Sequence, residues 1–286
     1  MKKAIIPVML MFFATTFTMC TTKEKKEIGL QLYSVRDAMA EAPAETVKSV
    51  GEMGYSFVEA AGYGEGKFYG MEPDEFKSLV EESGMKFISS HTGQALPDSA
   101  SWDETMAWWD TCIDAHVDAG VKYIVQPWMG DKGYNSLEGL KQYCEYFNAV
   151  GRKCKEKGIL FGYHNHDGEF AELEGEVIYD YMLQNTNPEY VFFQLDLYWI
   201  KEGGKDAVDY FNKYPGRFLH WHVKDEKELG ASGDMDFESS FAMADKAGVD
   251  YLIVEVEKYD FDPLVSVEKS LEYLQNADFV KTSYTE

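Results

Sequence analysis

The chain alternates between two kinds of segment eight times after residue 27, and this alternation restricts its fold more than any other feature. Short apolar runs rich in β-branched and aromatic residues indicate buried strands. The predicted strands are residues 28–33, 55–60, 86–90, 122–126, 159–163, 191–195, 217–222 and 251–256. The predicted helices lie near residues 44–53, 73–83, 101–119, 136–157, 176–185, 206–213, 237–247 and 263–275. Strand–helix units with short connections form parallel sheets, and eight of them in about 250 residues predict an α/β fold, a single (β/α)8 barrel.

An open, doubly wound sheet is the alternative arrangement for such an alternation. Open sheets of this kind usually have fewer strands and a glycine-rich first turn that binds phosphate. The first turn here is Ser34-Val35-Arg36-Asp37, which contains no glycine. We find no repeat beyond the strand–helix period and no interdomain linker, so we expect one domain over residues 28–286.

The first 19 residues have the composition of an export signal. Met1-Lys2-Lys3 is basic, and residues 4–17 form a mostly apolar stretch of 14 that is too short to span a bilayer. Cys20 follows at the expected cleavage point, which resembles a bacterial lipoprotein signal; an ordinary cleaved signal peptide is the alternative. We therefore expect residues 1–19 to be removed, Cys20 to be lipidated and residues 20–27 to form a charged tether. The protein would be exported to the periplasm and held at a bacterial membrane through this lipid only.

The chain is strongly acidic, with 50 acidic against 27 basic residues and a formal charge of −23. Such a surface repels phosphate backbones, so we expect no nucleic-acid partner. The cysteines after Cys20 are Cys112, Cys144 and Cys154, which have no metal-ligand spacing and which we expect to be buried apolar residues. The sequence leaves the oligomeric state open.

Polar residues recur where the predicted strands end, although the strands themselves are apolar. Functional residues of a (β/α)8 barrel lie at the carboxyl ends of its strands. A single buried histidine is more often a structural hydrogen-bonding residue, but five of the six histidines fall at strand ends, and only His116 lies within a helix. The strand-end residues are Gln31, Glu59, His91, Gln126, His164, His166, Asp196, His220, His222, Lys224, Asp225, Glu255 and Glu257.

Histidines and carboxylates in this arrangement indicate a divalent metal ion such as Mn²⁺, Zn²⁺, Co²⁺ or Mg²⁺. Asp196, His222 and Glu255 follow consecutive strands and would place three ligands around one ion. A fourth ligand is expected from the fifth strand, either His164 or His166. His220 shares a face with His222 but lies deeper, which favours a packing role.

Several motifs in this chain together resemble one superfamily. They are Tyr163-His164-Asn165-His166-Asp167, Leu195-Asp196-Leu197-Tyr198-Trp199, His222-Val223-Lys224-Asp225, Asp236-Phe237, Val254-Glu255, and the stretches at residues 29–37 and 214–217. These motifs are similar to those of sugar phosphate isomerase/epimerase-like proteins of the xylose-isomerase-like TIM-barrel superfamily, which also contains inosose dehydratases, ketose 3-epimerases and endonuclease IV. The resemblance implies one divalent ion at the ends of strands five to eight.

The resemblance to the ketose 3-epimerases implies ligands of the types Glu, Asp, His and Glu. The last three match Asp196, His222 and Glu255, and the first falls on His164. This departure puts the two-carboxylate proton exchange of those epimerases in doubt. His166 or Glu169 would have to take the missing role, or the reaction would differ.

The leading hypothesis is metal-assisted proton abstraction next to a sugar carbonyl, with stabilisation of the resulting enediolate. The candidate catalytic residues are His166, Glu169, His91 and Glu255. The candidate substrate-binding residues are Gln31, Trp128, Trp199 and Lys224. The candidate metal ligands are His164, Asp196, His222 and Glu255.

The expected substrate is a small carbohydrate without phosphate, because the signal indicates export and no Arg/Lys cluster is present to bind a phosphate. A keto-sugar or inosose-like dehydratase (lyase) using the same enediolate is the nearest alternative. A non-catalytic sugar-binding lipoprotein is a further alternative. A DNA-repair role like that of endonuclease IV disagrees with the acidic charge and the export signal.

Overall fold

The computed structural model describes residues 24–285. The predicted signal peptide and Cys20 lie outside the described residues. The predicted tether is partly attached to the barrel: the Lys26 ammonium donates a hydrogen bond of 2.9 Å to the carbonyl of Leu274, and the Glu27 amide donates one of 2.7 Å to the carbonyl of Thr282. Contact with the barrel therefore begins at least two residues before Ile28, where we placed the domain boundary.

Eight parallel strands close into a barrel, which confirms the predicted (β/α)8 fold. They are β1 (Gly29–Gln31), β2 (Phe57–Ala60), β3 (Lys86–His91), β4 (Tyr123–Gln126), β5 (Leu160–His164), β6 (Val191–Asp196), β7 (His220–Val223) and β8 (Tyr251–Val254). Each strand pairs with its neighbours in sequence, and β1 pairs with β8 to close the sheet. The predicted first strand was too long, because Leu32–Val35 forms a 3₁₀ helix whose N-terminus is capped by the Gln31 side chain.

Twelve helices in the described residues surround the barrel, several of them in pairs where we predicted one. They are α1 (Arg36–Glu41), α2 (Pro43–Met53), α3 (Pro73–Glu82), α4 (Trp102–Asp118), α5 (Lys132–Asn135), α6 (Leu137–Glu156), α7 (Ile178–Asn185), α8 (Leu197–Glu202), α9 (Ala207–Lys213), α10 (Phe237–Phe241), α11 (Ala244–Ala247) and α12 (Pro263–Asn276). Prolines begin α2, α3 and α12, where the missing amide hydrogen has no helical partner to lose. None of these helices, within residues 24–285, has the length and apolar character needed to cross a bilayer.

Two short hairpins extend the loops at the carboxyl end of the barrel. One pairs Tyr63–Gly64 with Lys67–Phe68 after β2, and the other pairs Glu172–Leu173 with Glu176–Val177 after β5. The second hairpin follows a 3₁₀ turn, Gly168–Phe170, and delays the start of α7 by two residues relative to the prediction.

The barrel interior is apolar at its amino end and polar at its carboxyl end. Phe192 on β6 packs edge-on against Tyr123 and at a tilt against His220, with ring centroids 5.7 and 4.9 Å apart. Gly162 on β5 makes room for Phe192, because a Cβ there would lie 2.5 Å from the phenyl ring. Since alternate residues of a strand share a face, Gln194 and Asp196 stand above Phe192 and open the polar layer.

Candidate metal and active site

Four buried side chains from consecutive strands meet at the carboxyl end of the barrel. His164 ends β5, Asp196 ends β6, His222 lies on β7 and Glu255 immediately follows β8. Each offers one ligand-type atom, and these atoms all lie within 4.8 Å of one another. They are the four residues proposed from the sequence, and the fifth strand contributes His164 to this group. A second, overlapping group replaces the two carboxylates with His91.

Several polar atoms of this group are buried without a hydrogen-bond partner in the described part of the chain. They are Nδ1 of His164, Oδ2 of Asp196 and Nδ1 of His222. The other carboxylate oxygen of Asp196 is occupied, because it caps α8 by accepting the amides of Tyr198 and Trp199 at 2.9 Å. A buried polar atom left without a partner costs about 1–3 kcal/mol. A divalent ion would satisfy all three atoms at once, so the donor set fits such an ion.

Burial and neighbouring charges set the protonation of the group. Burial lowers the pKa of His164 well below its usual value, and His222 and His166 lower it further, so its ring is neutral and has a lone pair at neutral pH. Burial raises the pKa of Asp196 to about 7, assisted by Glu255 and opposed by Lys224. A carboxylate with so high a pKa is short of compensating positive charge, which a bound cation would supply.

His222 stands between two carboxylates. Burial would lower its pKa, but Glu255 and Glu59 outweigh that effect and raise the pKa to about 10. Nδ1 of His222 lies 3.3 Å from Oε2 of Glu255, an ion-pair distance without the alignment of a hydrogen bond. The pKa of Glu255 is low although burial would raise it, because Lys224 and His222 outweigh the burial. In the absence of a cation, protonated His222 and Lys224 balance the carboxylates.

Glu59 on β2 contacts more polar side chains of the site than its sequence position indicates, since the sequence shows it only as a polar residue at a strand end. Its buried carboxylate accepts hydrogen bonds from Nε2 of Gln31 at 2.8 Å and from Nε2 of Gln194 at 2.9 Å. It also contacts Nε2 of His222 at 2.7 Å and Nε2 of His91 at 3.1 Å. The sequence does contain an indication of this role: a single carboxylate within an apolar strand is costly to bury unless it has partners.

A cavity of about 490 Å³ opens over the four-residue group, a size typical of small-molecule sites. Of the predicted residues, it is lined by His91, His164, His166, Glu255 and Trp128. Trp128 is 41% exposed and stands at the entrance. The rings of His91 and His166 each lie about 5 Å from the ring of His164, at 5.1 and 5.0 Å between centroids. Two further histidines thus line one cavity together with the candidate ligands His164 and Glu255.

Four of the predicted catalytic and substrate-binding residues are absent from the cavity lining among the described residues: Gln31, Glu169, Trp199 and Lys224. Gln31 is buried between Glu59 and the amide of Tyr33, to which its two amide atoms are bonded. Lys224 is buried, with its ammonium 2.8 Å from Oε2 of Glu257. The Trp199 ring lies behind the mouth, 5.7 Å from the His166 ring between centroids.

Glu169, a candidate catalytic residue, is bonded to other parts of the protein and is not part of the cavity lining among the described residues. Its Oε1 accepts hydrogen bonds from the hydroxyls of Tyr134 at 2.6 Å and Tyr163 at 2.5 Å, and its Oε2 accepts the His166 amide at 2.9 Å. Both oxygens are therefore occupied by the protein. Glu169 fixes the loop that carries His166, and the geometry offers no free oxygen to a substrate.

The remaining lining residues were not among the predicted site residues, although Glu257 was noted as a polar residue at a strand end. They are Tyr33, Ala61, Tyr63, Thr92, Gly93, Pro127 and Glu257. Tyr33 comes from the 3₁₀ helix after β1 and Tyr63 from the hairpin after β2, and neither element has a periodic sequence signal. Among the described residues, the lining contains two carboxylates, three histidines and no lysine or arginine.

The fold and the site together define a class of protein: closed (β/α)8 barrels with a His/Asp/His/Glu group across β5 to β8. A family model described as "xylose isomerase-like TIM barrel" matches residues 47–277. The chain therefore belongs to the xylose isomerase-like TIM barrel family.

Solved structures and curated proteins of this kind include enzymes. The crystal structure of a sugar phosphate isomerase/epimerase from Parabacteroides distasonis is 34% identical, covers 90% of this chain and 100% of that chain, and has a TM-score of 0.84. A 3-keto-D-glucoside 4-epimerase from E. coli shares the fold at 18% identity, covering 88% of this chain and 100% of that one with a TM-score of 0.68.

Among curated proteins, an inosose dehydratase from Clostridium perfringens is 28% identical over 160 residues, which are 48% of this chain and 52% of that protein. The chain spans about half the length of the curated relatives it matches first. The relatives support an enzyme, and their names include both an epimerase and a dehydratase.

Proposed function

We propose that this protein is a divalent-metal-dependent enzyme that removes a proton next to the carbonyl of a non-phosphorylated sugar or keto-sugar. Returning the proton to the other face or to the neighbouring carbon makes it an epimerase or isomerase. The observation that carries the proposal is the buried group of His164, Asp196, His222 and Glu255, whose ligand-type atoms lie within 4.8 Å of one another beneath a cavity.

The metal would be held by these four residues. A bound divalent ion would polarise the substrate carbonyl and stabilise the negative charge that develops when the proton leaves. The neutral ring of His164 and the two carboxylates supply the mixed nitrogen and oxygen donors that Mn²⁺, Zn²⁺, Co²⁺ and Mg²⁺ accept in differing degree.

Two histidines outside the ligand group would move the proton. His166 and His91 both line the cavity. Nε2 of His91 is engaged by Oε1 of Gln194 at 2.6 Å, so its Nδ1 is the nitrogen left for a substrate. We assign His166 as the base and His91 as the group that returns the proton or orients a hydroxyl. Glu255 lines the same cavity and is the alternative base if it is not fully engaged by the ion.

The cavity chemistry supports a neutral carbohydrate. Its lining has no lysine or arginine among the described residues, whereas Glu255 and Glu257 are both present. The nearest buried cation, Lys224, is paired with Glu257. A phosphate group would meet repulsion there and no bidentate partner. Tyr33, Tyr63 and Trp128 offer aromatic faces for a sugar ring at the entrance.

A keto-sugar or inosose-like dehydratase is the second candidate. The same proton abstraction followed by loss of a hydroxyl from the adjacent carbon, protonated by a histidine as it leaves, yields water and an unsaturated ketone. Two observations favour it: His164 stands where the ketose 3-epimerases have a glutamate, and the curated relatives are named inosose dehydratases. A non-catalytic sugar-binding protein is the remaining alternative.

Metal analysis of the purified protein tests the metal site. We expect close to one divalent ion per chain in the wild type, and a marked loss in Asp196→Ala and in His222→Ala. Glu228→Gln is the matched control, because Glu228 is also a buried glutamate but bonds to Ser266 and Asp260 away from the group. Unchanged metal content in both site variants would exclude this site.

Deuterium exchange tests the chemistry. The metal-loaded protein is incubated in D₂O with a panel of neutral keto-sugars and inososes, and substrates and products are followed by NMR. Exchange of a carbon-bound proton in a product that keeps the elemental composition of the substrate indicates an epimerase or isomerase. A product that has lost water indicates the dehydratase. Tight sugar binding without exchange would favour the non-catalytic alternative.

We also propose export and lipid anchoring through Cys20, on the sequence of residues 1–20 alone. Mass spectrometry of the mature N-terminus and membrane fractionation of wild type and Cys20→Ala test this. We expect a diacylated Cys20 in the membrane fraction and release of the variant into the soluble fraction. An unmodified N-terminus at another residue would support the ordinary signal peptide instead.

A further inference from the structure

We propose that Glu59 is a positioning residue that fixes, through one carboxylate, both a candidate metal ligand and the histidine that faces the substrate. Oε1 of Glu59 lies 2.7 Å from Nε2 of His222 and 3.1 Å from Nε2 of His91. The two rings are nearly parallel, at 13° with centroids 5.1 Å apart. The part concerning His222 rests on the proposed metal site, and the part concerning His91 does not.

The hydrogen-bonding chemistry determines where the ring protons are. A carboxylate accepts hydrogen bonds, so a ring nitrogen that bonds to Glu59 must carry the proton. Nε2 of His91 also contacts the side-chain oxygen of Gln194, another acceptor, while the amide nitrogen of Gln194 donates to Oε2 of Glu59. Glu59 therefore places a proton on Nε2 of both histidines. When His222 holds an ion, its lone pair would therefore be on Nδ1, toward the metal group. On His91, Nδ1 is the ring nitrogen left for the substrate.

Glu59 is itself held so that this arrangement is rigid. Gln31 and Gln194 donate to its two oxygens at 2.8 and 2.9 Å, and the Ser89 hydroxyl donates to Oε2 as well. Gln194 bonds to both His91 and Glu59, and Nε2 of His91 lies within ion-pair distance of Glu59, so the three side chains contact one another. The carboxylate is fully buried, and the histidines hold its pKa well below the usual value against the effect of burial. A residue built into the barrel this way can orient rings without touching a substrate.

Substitution of Glu59 by glutamine changes the charge and adds a donor while keeping the shape. With its oxygen at the Oε1 position, the amide would still face both rings but without the negative charge, and its nitrogen at the Oε2 position would oppose the amide donor of Gln194. Loss of such a carboxylate behind a metal-bound histidine typically weakens metal binding by about 10–100-fold. We therefore expect Co²⁺ to bind Glu59→Gln about 10–100-fold more weakly than wild type, with an altered visible absorption spectrum of the bound Co²⁺. Glu59→Asp, which keeps the charge, is expected to recover part of the affinity.

The matched control is again Glu228→Gln, which removes a buried carboxylate that touches no histidine ring. Its Co²⁺ affinity and spectrum are expected to equal those of wild type. Circular dichroism and thermal melting of all variants separate a folding defect from a positioning defect. A Glu59→Gln protein that folds and binds Co²⁺ within about threefold of wild type would overturn the proposal.

A second readout needs no metal. In metal-free protein labelled with ¹⁵N-histidine, long-range ¹H–¹⁵N spectra assign the protonated nitrogen of each ring, with His91→Gln and His222→Gln providing the assignments. We expect protons on Nε2 of His91 and His222 in wild type, and a change at both rings in Glu59→Gln. An unprotonated Nε2 on either ring in wild type would overturn the proposal even if the metal site is correct. If wild type binds no metal, the proposed function fails while this spectrum still decides the role of Glu59.

Discussion

His164 sets the charge of the candidate metal group. Burial keeps its ring neutral, so the four ligand-type residues include two carboxylates where a glutamate at this position would give three. Imidazole nitrogen suits Zn²⁺ and related ions, whereas carboxylate oxygen suits Mg²⁺ and Mn²⁺. One residue therefore affects both the metal preference and the proton chemistry available to the site.

His164→Glu is expected to shift metal preference toward harder ions. The ratio of Zn²⁺ to Mg²⁺ affinity should fall by about tenfold, or ~1.4 kcal/mol, because an oxygen donor replaces a nitrogen donor. Competition titrations with a chelating dye measure both affinities. His166→Glu serves as the control, since His166 lies in the cavity but outside the four-residue group. An unchanged ratio in His164→Glu would remove His164 from the ligand set.

The candidate ligands could be predicted from the sequence because strand ends in a parallel barrel must converge. The directions of individual side chains beyond the strand ends could not be predicted. Glu169 and Trp199 follow strands closely in sequence, yet a 3₁₀ turn aims Glu169 at two tyrosines, and α8 carries Trp199 behind the mouth. The role of Glu59 was not predicted, because its partners come from β1, β3, β6 and β7 and no local sequence pattern indicates them.

At the scale of elements, the loop after β5 depends on a buried carboxylate. Glu169 ties the loop to the Tyr134 hydroxyl on α5 and to Tyr163 on β5, and it also holds the His166 backbone. The loop is therefore held to the helix α5 and to the strand β5. Its stability should affect the placement of His166 in the cavity.

Tyr134→Phe is expected to destabilise the protein by about 1–3 kcal/mol, since one hydrogen bond to a buried carboxylate is lost. Denaturant unfolding measures this change, and a rise in KM larger than the fall in kcat would report the looser loop. Tyr190→Phe is the control, because the Tyr190 ring, whose centroid lies 5.4 Å from the Arg152 guanidinium carbon, would be kept in phenylalanine. Equal free energies of unfolding for Tyr134→Phe and wild type would contradict the role given to Glu169.

Gly162→Ala is expected to destabilise the barrel by about 1–3 kcal/mol through overpacking. The added methyl would lie 2.5 Å from the Phe192 ring inside the barrel. Gly64→Ala is the matched control, because a Cβ at that position meets nothing within 4 Å. The difference between the two midpoints in urea gives the effect, and no difference would mean that Phe192 can move aside.

The eight strands and the positions of most helices followed from apolar runs and helical periodicity. Most of the short helices of four to seven residues and the two-residue hairpin strands did not, because segments of that length contain only about one or two periods of a pattern. The closing pair of β1 with β8 is also invisible locally, since it joins residues more than 200 positions apart.

At the scale of the whole molecule, the proposed ion links the four strands β5 to β8. Binding that occurs only in the folded state adds stability, about 2.7 kcal/mol when the free ion is at 100 times Kd. We expect chelation with EDTA to lower the Tm of wild type by several degrees and readdition of metal to restore it. Asp196→Ala should have the same Tm with chelator and with added metal. A wild-type Tm that neither chelator nor metal changes would argue against stabilisation of the barrel by the ion.

Lys26 is attached to the end of α12 and Glu27 to Thr282 in the segment after it, and these contacts affect the orientation of the barrel. The chain enters the barrel at the amino end of β1, whereas the cavity opens at the carboxyl ends of the strands. Five residues lie between Cys20 and Lys26 in the sequence, so the two can be at most about 22 Å apart. With Cys20 lipidated as proposed, the closed base of the barrel would face the bilayer at short range. The mouth would then point away from the membrane, open to carbohydrates that diffuse through the surrounding compartment.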